Sequence, residues 1–259
     1  MSRGFGVAAG LASEVASPLA ARCEELGYSS LWSNDTPLAS GLETLAGFAR
    51  GADRAELGVT IALDRHGPDQ LAAQVERLEL ERERLWLAIG AGHEKRPLTT
   101  MREALPALRD ALPGIRLALA AMGPKMCALG GASYDAVFFN WITPEFAARS
   151  RELVERGAAD AGREAPPVFG YVRTAVGTDA EGRLEKEESF YRGLHKGYRD
   201  HFDRLDEPVG TVGVAAQETG EAQTQLSRYR ALDTVVVRAL ASATIEGMSA
   251  LAEAAAPGD

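Results

Sequence analysis

Short apolar runs alternate with helical segments along the whole chain. The runs are bounded by Gly, Pro or charged residues, which is typical of buried parallel strands. The segments between them carry apolar residues at helical spacing. The runs predicted as strands cover residues 5–9, 29–33, 56–63, 84–92, 115–121, 134–140, 168–177 and 232–239.

This alternation predicts an α/β fold, a single (β/α)8 TIM-type barrel. The chain has no Pro/Gly/Ser-rich linker and no short repeat, so residues 1–259 are predicted to form one domain. A doubly wound parallel sheet is the alternative. It is disfavoured because no GxGxxG motif follows the first strand and because the length suits a barrel of about 250 residues.

Two of the predicted helices matter for the site. Residues 18–26 are predicted to form the first helix, and residues 181–203 a single long charged helix. His195 and His201 in the long helix lie six apart and do not share a face at metal-ligand spacing, so we predict no metal site. An apolar stripe typical of a core or dimer contact repeats about every fourth residue: Phe190, Leu194, Tyr198 and Phe202.

Composition limits the classes of binding partner and the cellular compartment that we expect for this protein. The net charge is −9 and the basic residues are scattered, which argues against a nucleic-acid surface. No apolar run approaches the length of a membrane span. Cys23 and Cys127 have neither CxxC neighbours nor histidine partners, so we expect buried free thiols. The amino terminus lacks a signal-peptide core, and we predict a cytoplasmic protein.

Residues 115–141 form the most informative stretch. An apolar run ends at Gly123-Pro124, where Pro124 suits a first helical position, and a second apolar run follows the predicted helix. The free N–H groups of that helix start, with no side chain at Gly123, form an anion site that suits a cofactor phosphate. An ordinary packing unit, in which Gly123 serves the turn alone, is the other interpretation.

The phrases AMGPKM, YDAVFFNW and TPE in this stretch resemble the bacterial luciferase-like proteins, in particular the coenzyme F420-dependent oxidoreductases among them. AARCEELGYSSLWSNDTP and DRHGPDQLAAQ are similar to earlier parts of the same family. The resemblance covers nearly the full chain and independently implies a barrel. High Ala, Gly and Arg usage fits an actinobacterial source.

The resemblance implies an oxidoreductase that transfers a hydride between coenzyme F420 and a small organic substrate. Two alternatives remain open: an FMN-dependent two-component monooxygenase, and a shortened non-catalytic flavin-binding relative. The GPKM and TPE phrases favour coenzyme F420 over FMN. Expected partners are a small-molecule substrate and a flavin or F420 reductase, with neither nucleic acid nor membrane.

The resemblance also implies catalytic residues at strand ends. Asp35 ends the second strand, but Thr36 stands where many members have histidine. Glu94 follows the fourth strand and is the candidate proton donor, with a solvated loop carboxylate as the other interpretation. For His66, beside the next helix start, we favour a structural role.

The cofactor is expected to contact the ends of five consecutive strands, the third to the seventh. The end of the third strand carries a bulge with a non-prolyl cis peptide in many relatives, and glycines after the fourth strand permit close approach of a flat ring. Arg173 is expected to reach a phosphate or an acidic cofactor tail. The predicted cofactor-binding residues are Thr60, Ile61, Ala62, Gly90, Gly92, Ala121, Gly123, Pro124, Lys125, Asn140 and Arg173.

Residues 95–114 depart from the family pattern. Relatives usually carry a long excursion before the fifth strand, whereas here we predict a shortened loop with one amphipathic helix. A homodimer is expected because the family commonly pairs through early barrel helices. Leu71, Leu78 and Leu80 give the third helix more apolar surface than one core requires.

Overall fold

A computed structural model describes residues 2–258, which form nine strands and ten α-helices. The strands are β1 Ser2–Ala8, β2 Ser30–Asn34, β3 Glu56–Ala62, β4 Leu85–Gly90, β5 Arg116–Ala121, β6 Ala136–Asn140, β7 Val168–Val176, β8 Val214–Ala216 and β9 Thr234–Ala239. The helices are α1 Ser13–Glu25, α2 Gly41–Ala49, α3 Pro68–Arg77, α4 Pro97–Ala111, α5 Pro124–Ser133, α6 Pro144–Asp160, α7 Ala180–Leu194, α8 Lys196–Leu205, α9 Thr219–Leu226 and α10 Ile245–Ala254.

Eight parallel strands close into a barrel. Consecutive strands pair from β1 to β7, β7 pairs with β9, and β9 returns to β1. The predicted (β/α)8 barrel is therefore confirmed, and the doubly wound alternative is wrong because these eight strands form a closed ring. The sequence prediction missed β8, whose three residues pair with the end of β7 outside the closed ring. Such a strand is too short to produce a recognisable period.

The barrel interior is filled by aromatic side chains. Trp32 packs on Phe138 with 4.6 Å between ring centroids, and Phe169 and Tyr171 belong to the same buried cluster. Gly58 makes room for this packing, because a Cβ at that position would lie 2.3 Å from the Trp32 ring. This plug closes the middle of the barrel, so a ligand site must lie at one of its ends.

Two helix predictions need correction. The first helix begins at Ser13 rather than at residue 18, and Pro18 lies inside it. The predicted helix over 181–203 is two helices, because His195 has extended backbone dihedrals and its ring caps α8 by accepting a hydrogen bond from the Gly197 N–H. The predicted stripe is therefore divided: Phe202 is buried, whereas Phe190 and Leu194 are exposed on α7.

The connection between β4 and β5 holds the single helix α4, as predicted, whereas its shortening relative to other family members stays a prediction. The leucines that motivated a dimer through α3 are used within the chain, since Leu71 and Leu80 are buried and Leu78 packs against the core. The homodimer stays a prediction without that support. No helix in the described part of the chain has the length and apolar character of a membrane-spanning segment.

Candidate active site

The carboxyl ends of the strands surround the region above the aromatic plug, which we call the barrel mouth. Apart from two arginines, its inward residues are partly exposed and carry short side chains. Two buried arginines, Arg173 and Arg238, form part of its wall. The other mouth residues are Asn34, Thr60, Ala62, Gly90, Ala120 and Asn140.

The predicted anion site is present as an open helix start. Gly123 precedes α5 with extended dihedrals, φ −128° and ψ 159°, and Pro124 is the first helical residue. A Cβ at Gly123 would meet Arg204 Nη2 at 3.8 Å and nothing closer, so space for an anion remains. Lys125 and Arg204 are exposed there. Arg204 was not predicted as a site residue, because α8 brings it to this point from 81 positions further along the chain.

The predicted catalytic residue Asp35 is buried and its carboxylate is fully engaged. Oδ1 accepts a hydrogen bond from the Gly41 N–H at 3.0 Å, and Oδ2 lies 2.9 Å from His66 Nε2 and 3.3 Å from Arg65 Nη2. His66 Nδ1 lies 3.4 Å from the Gln74 amide nitrogen. Both ring nitrogens of His66 are therefore occupied by protein groups. This geometry favours the structural interpretation of His66 and a positioning role for Asp35.

Glu94 is exposed in the turn after β4, on the same rim as Asp35. The preceding residue, His93, is fixed by Asp64. The His93 backbone nitrogen and Nδ1 lie 2.9 and 3.0 Å from Asp64 Oδ2. Burial raises the pKa of Asp64, but the bonds from His93 outweigh it and the pKa lies below its usual value. Gly92, at φ +64°, leaves the space that this carboxylate occupies.

A row of aromatic rings leads from this turn to the mouth. It consists of His93, His195, Tyr198 and Tyr191, with successive centroid distances of 5.0, 4.6 and 5.0 Å. The Tyr198 hydroxyl accepts a hydrogen bond from Asn140 Nδ2 at 3.3 Å. The aromatic row thus ties the corner between α7 and α8 to the strand ends. Sequence analysis missed His93 and the tyrosines as site residues, because their proximity depends on the break at His195.

Arg173 and Arg238 project from neighbouring strands into the mouth. Arg173 donates a hydrogen bond to Asn140 Oδ1, and its guanidinium lies 4.1 Å from the Trp141 ring centroid. Arg238 donates to the Ala239 carbonyl at 2.9 Å and to Asn34 Oδ1 at 3.3 Å. Burial, and then the charge of Arg173, lowers the pKa of Arg238. The sequence signal for Arg238 is a charged residue inside the otherwise apolar run VVVRA.

Strand alternation places two predicted cofactor residues away from the mouth. Ile61 and Ala121 belong to the core between the barrel and its helices, so they point outward. The neighbours Thr60, Ala62 and Ala120 are the inward residues. Consecutive residues in a strand face opposite sides, so the predicted run 60–62 cannot line one surface. Within residues 2–258 no peptide bond is cis, including those near Thr60.

Two cavities lie beside β8 rather than at the barrel mouth. Their volumes are about 370 and 160 Å³, and both are lined by Thr211, Gly213 and Gln225. Neither contains a predicted site residue. Within the described range, no group of three or more His, Cys, Asp or Glu side chains is arranged to hold a metal ion.

Comparison with known protein families shows which family the chain belongs to. The family described as "Luciferase-like monooxygenase" matches residues 103–253, more than half of the chain. The chain belongs to the luciferase-like monooxygenase family. A comparison of this luciferase-like sequence with curated proteins finds no match.

Solved structures show the same barrel. An F420-dependent secondary alcohol dehydrogenase in complex with an F420-acetone adduct is 14% identical, with a TM-score of 0.74 over 98% of each chain. The coenzyme F420-dependent tetrahydromethanopterin reductase from Methanopyrus kandleri is 16% identical, with a TM-score of 0.74 over 98% of this chain and 96% of that one. The oxygenating constituent of 3,6-diketocamphane monooxygenase from Pseudomonas putida, in complex with FMN, is 13% identical, with a TM-score of 0.66 over 99% of each chain. At these identities the likeness establishes the fold of the luciferase-like chain.

Proposed function

We propose that this luciferase-like chain binds coenzyme F420 at the barrel mouth and transfers a hydride between that cofactor and a small organic substrate. One observation carries the proposal. The open helix start at Gly123, with Arg204 beside it, follows the same strand that supplies Ala120 to the mouth. A ligand with a flat ring and a phosphate tail therefore meets both features along one strand end.

The mouth residues fit such a ring. A Cβ at Gly90 would lie 3.4 Å from the Cβ of Ala120, so these neighbouring strands offer a surface almost free of side chains. A flat ring packs on such a surface without displacing any residue. Lys125, through its side chain and its backbone N–H, and Arg204 would hold the phosphate, because they place positive charge around the open position at Gly123. The next two N–H groups of α5, those of Met126 and Cys127, already donate to the Gly123 carbonyl.

When bound, the deazaflavin ring supplies the hydride chemistry, and the protein supplies orientation and electrostatics. Asp35 holds His66 and Arg65 at the rim as a positioning residue. Glu94 remains the proposed acid, and its carboxylate is exposed in the turn after β4. Beside it, His93 is a second candidate proton carrier, because Asp64 fixes one ring nitrogen and leaves Nε2 available.

The FMN-dependent monooxygenase is the second candidate, because one structural neighbour is an FMN-bound oxygenating component. That version takes reduced flavin from a separate reductase. The non-catalytic relative is the third, motivated by Thr36 in place of histidine. A homodimer and a cytoplasmic location complete the proposal.

Absorbance titration of the purified protein with coenzyme F420 and, separately, with FMN tests the proposal. We expect saturable binding of coenzyme F420 and weaker binding of FMN. Preferential binding of FMN would favour the monooxygenase. Binding of neither cofactor would contradict both enzyme functions and leave the non-catalytic relative.

A further inference from the structure

Arg173 and Arg238 are direct cross-strand partners. They pair in the register between β7 and β9, so their side chains leave the sheet side by side on its inward face. Both are almost completely buried, with 2% and 5% of their surface exposed. Two guanidinium groups therefore share one enclosed part of the mouth. Like charges directly opposite on adjacent strands destabilise a sheet.

Neutral groups surround both guanidiniums. Arg173 contacts the Asn140 amide oxygen and the rings of Trp141 and Tyr191, and Arg238 contacts the Asn34 amide oxygen and a backbone carbonyl. Among residues 2–258 no carboxylate lies within 4.0 Å of either group. The Nε atoms of both arginines are buried without a hydrogen-bond partner.

One carboxylate acts on Arg238 from beyond contact distance. Glu187 on α7 raises the pKa of Arg238, but burial and the charge of Arg173 outweigh it and the pKa stays lowered. Elsewhere the chain neutralises a buried charge by direct contact: buried Glu188 lies 2.6 Å from Arg192. Arg173 and Arg238 therefore lack the direct contact with a carboxylate that Arg192 makes with Glu188 within α7.

Burying a charge without a partner is unfavourable, and an arginine does not relieve this cost by losing its proton. An anionic ligand relieves it, because a guanidinium binds carboxylate or phosphate oxygens through two parallel hydrogen bonds. The two free Nε–H groups supply donors for such contacts. Asn34 and Asn140 are partly exposed beside the guanidiniums, so the pair lies just behind a surface that solvent reaches.

We propose that Arg173 and Arg238 together bind an oxyanion of the substrate, so that the substrate class is a small organic carboxylate or phosphate ester. The inference rests on the proposed function, since it specifies the substrate of the same mouth. The cofactor phosphate is assigned to a different place, the start of α5 after β5, where Gly123 and Arg204 lie.

The test is thermal unfolding of the cofactor-free protein in sodium chloride, compared with inorganic phosphate and with malonate at equal ionic strength. We expect at least one of the two anions to raise the melting temperature in a saturable way. A response to phosphate alone identifies a phosphate ester, and a response to malonate alone identifies a carboxylate. Absence of any response to both anions would overturn the inference.

Arg238→Met and Arg173→Met remove one charge each while keeping an unbranched side chain out to the position of Nε. Each should weaken the apparent affinity for the responsive anion at least tenfold. Arg3→Met is the matched control, because Arg3 is also buried with a lowered pKa but donates to the Ala255 carbonyl and Gln223 at the far end of the barrel. Arg3→Met should keep the anion response. A full response in both mouth variants would overturn the inference.

Two further variants keep the result decisive. If a methionine variant does not fold, Arg238→Lys retains the charge but loses the two-pronged geometry, and an unchanged anion affinity in it would overturn the inference. Gly123→Asp tests whether the anion that raises the melting temperature binds at the start of α5 rather than at the arginine pair. A response lost in Gly123→Asp but kept in Arg238→Met places the anion at α5 and also overturns the inference.

Failure of the inference and failure of the proposed function are distinguishable. The anion response is measured without cofactor, and the cofactor titration is measured without substrate. If the protein binds neither cofactor but shows an anion response that depends on the two arginines, the redox function alone is contradicted. Cofactor binding without such a response contradicts the substrate class alone.

Discussion

Gly123→Asp is the sharpest test of the cofactor site, because the structure separates its effect on folding from its effect on binding. Gly123 has φ −128°, a region open to every residue. An added Cβ meets no atom closer than Arg204 Nη2 at 3.8 Å. The variant should therefore fold without displacing its neighbours.

The expected change in stability is small and favourable. Aspartate exceeds glycine by a few tenths of a kcal/mol as a helix cap. A carboxylate at a helix start adds about 0.3–1 kcal/mol through the helix dipole. An ion pair between the new carboxylate and the exposed guanidinium of Arg204 adds at most about 1 kcal/mol to the stability. Taken together, these effects place the melting temperature at or a few degrees above the wild-type value, at roughly 2–4 °C per kcal/mol.

The expected change in binding is large and unfavourable. A carboxylate about 4 Å from a phosphate costs about 1 kcal/mol in a water-like medium and about 4 kcal/mol at an effective dielectric constant of about 20. The same carboxylate also competes with the phosphate for the Lys125 N–H and for Arg204. Cofactor affinity should therefore fall between about tenfold and a thousandfold.

The assay pairs a cofactor titration with a melt of each variant. Gly67→Asp is the matched control, because Gly67 also precedes a proline at a helix start with extended dihedrals, and a Cβ there meets nothing within 4 Å. Gly123→Asn separates shape from charge and should lose less affinity than Gly123→Asp. Unchanged affinity for both coenzyme F420 and FMN in Gly123→Asp would refute the phosphate assignment, and an unfolded variant would refute the packing argument.

Three further predictions concern stability and reactivity. Burial and the charges of His93 and Arg199 lower the pKa of His195, so the native state binds fewer protons than the unfolded chain and its stability should fall as the pH drops below about 6.5. In melts from pH 8 to 5, His195→Asn should flatten this loss, and equal pH dependence in the wild type and the variant would contradict it. Gly58→Ala should destabilise by about 1–3 kcal/mol in chemical denaturation by crowding the central tryptophan, whereas Gly193→Ala, with open space around it, should not destabilise. Burial raises the pKa of Cys127 to about 12 and also raises that of Cys23, so neither thiol should react with a thiol reagent at pH 8 before unfolding; rapid labelling of the native protein would contradict this.

The barrel and the helix start at Gly123 followed from the sequence because each depends on local chemistry. A buried parallel strand is a short contiguous apolar run, and eight such runs were visible between helical segments. Gly-Pro after the fifth run marks a helix start whatever the rest of the chain does. The open position at Gly123 was therefore predictable, although its use as a phosphate site remains a proposal.

The surroundings of that site were decided by the tertiary structure. Which strand residues face inward depends on register, so Ile61 and Ala121 were placed on the wrong surface by reasoning from strand ends alone. Asp64 and His93 meet because β3 and β4 are neighbours.

The arginine pair shows the same limit most clearly. Arg173 and Arg238 are 65 positions apart, and they become partners because β8 leaves the ring and β9 takes the place beside β7. Arg204 reaches Gly123 because the chain breaks at His195 and turns α8 over the strand ends. Local hydrophobic period determines which segments are strands and helices, whereas barrel closure and helix breaks determine which charges meet. The sequence by itself therefore determined the fold, and the tertiary structure decided the electrostatics of the mouth.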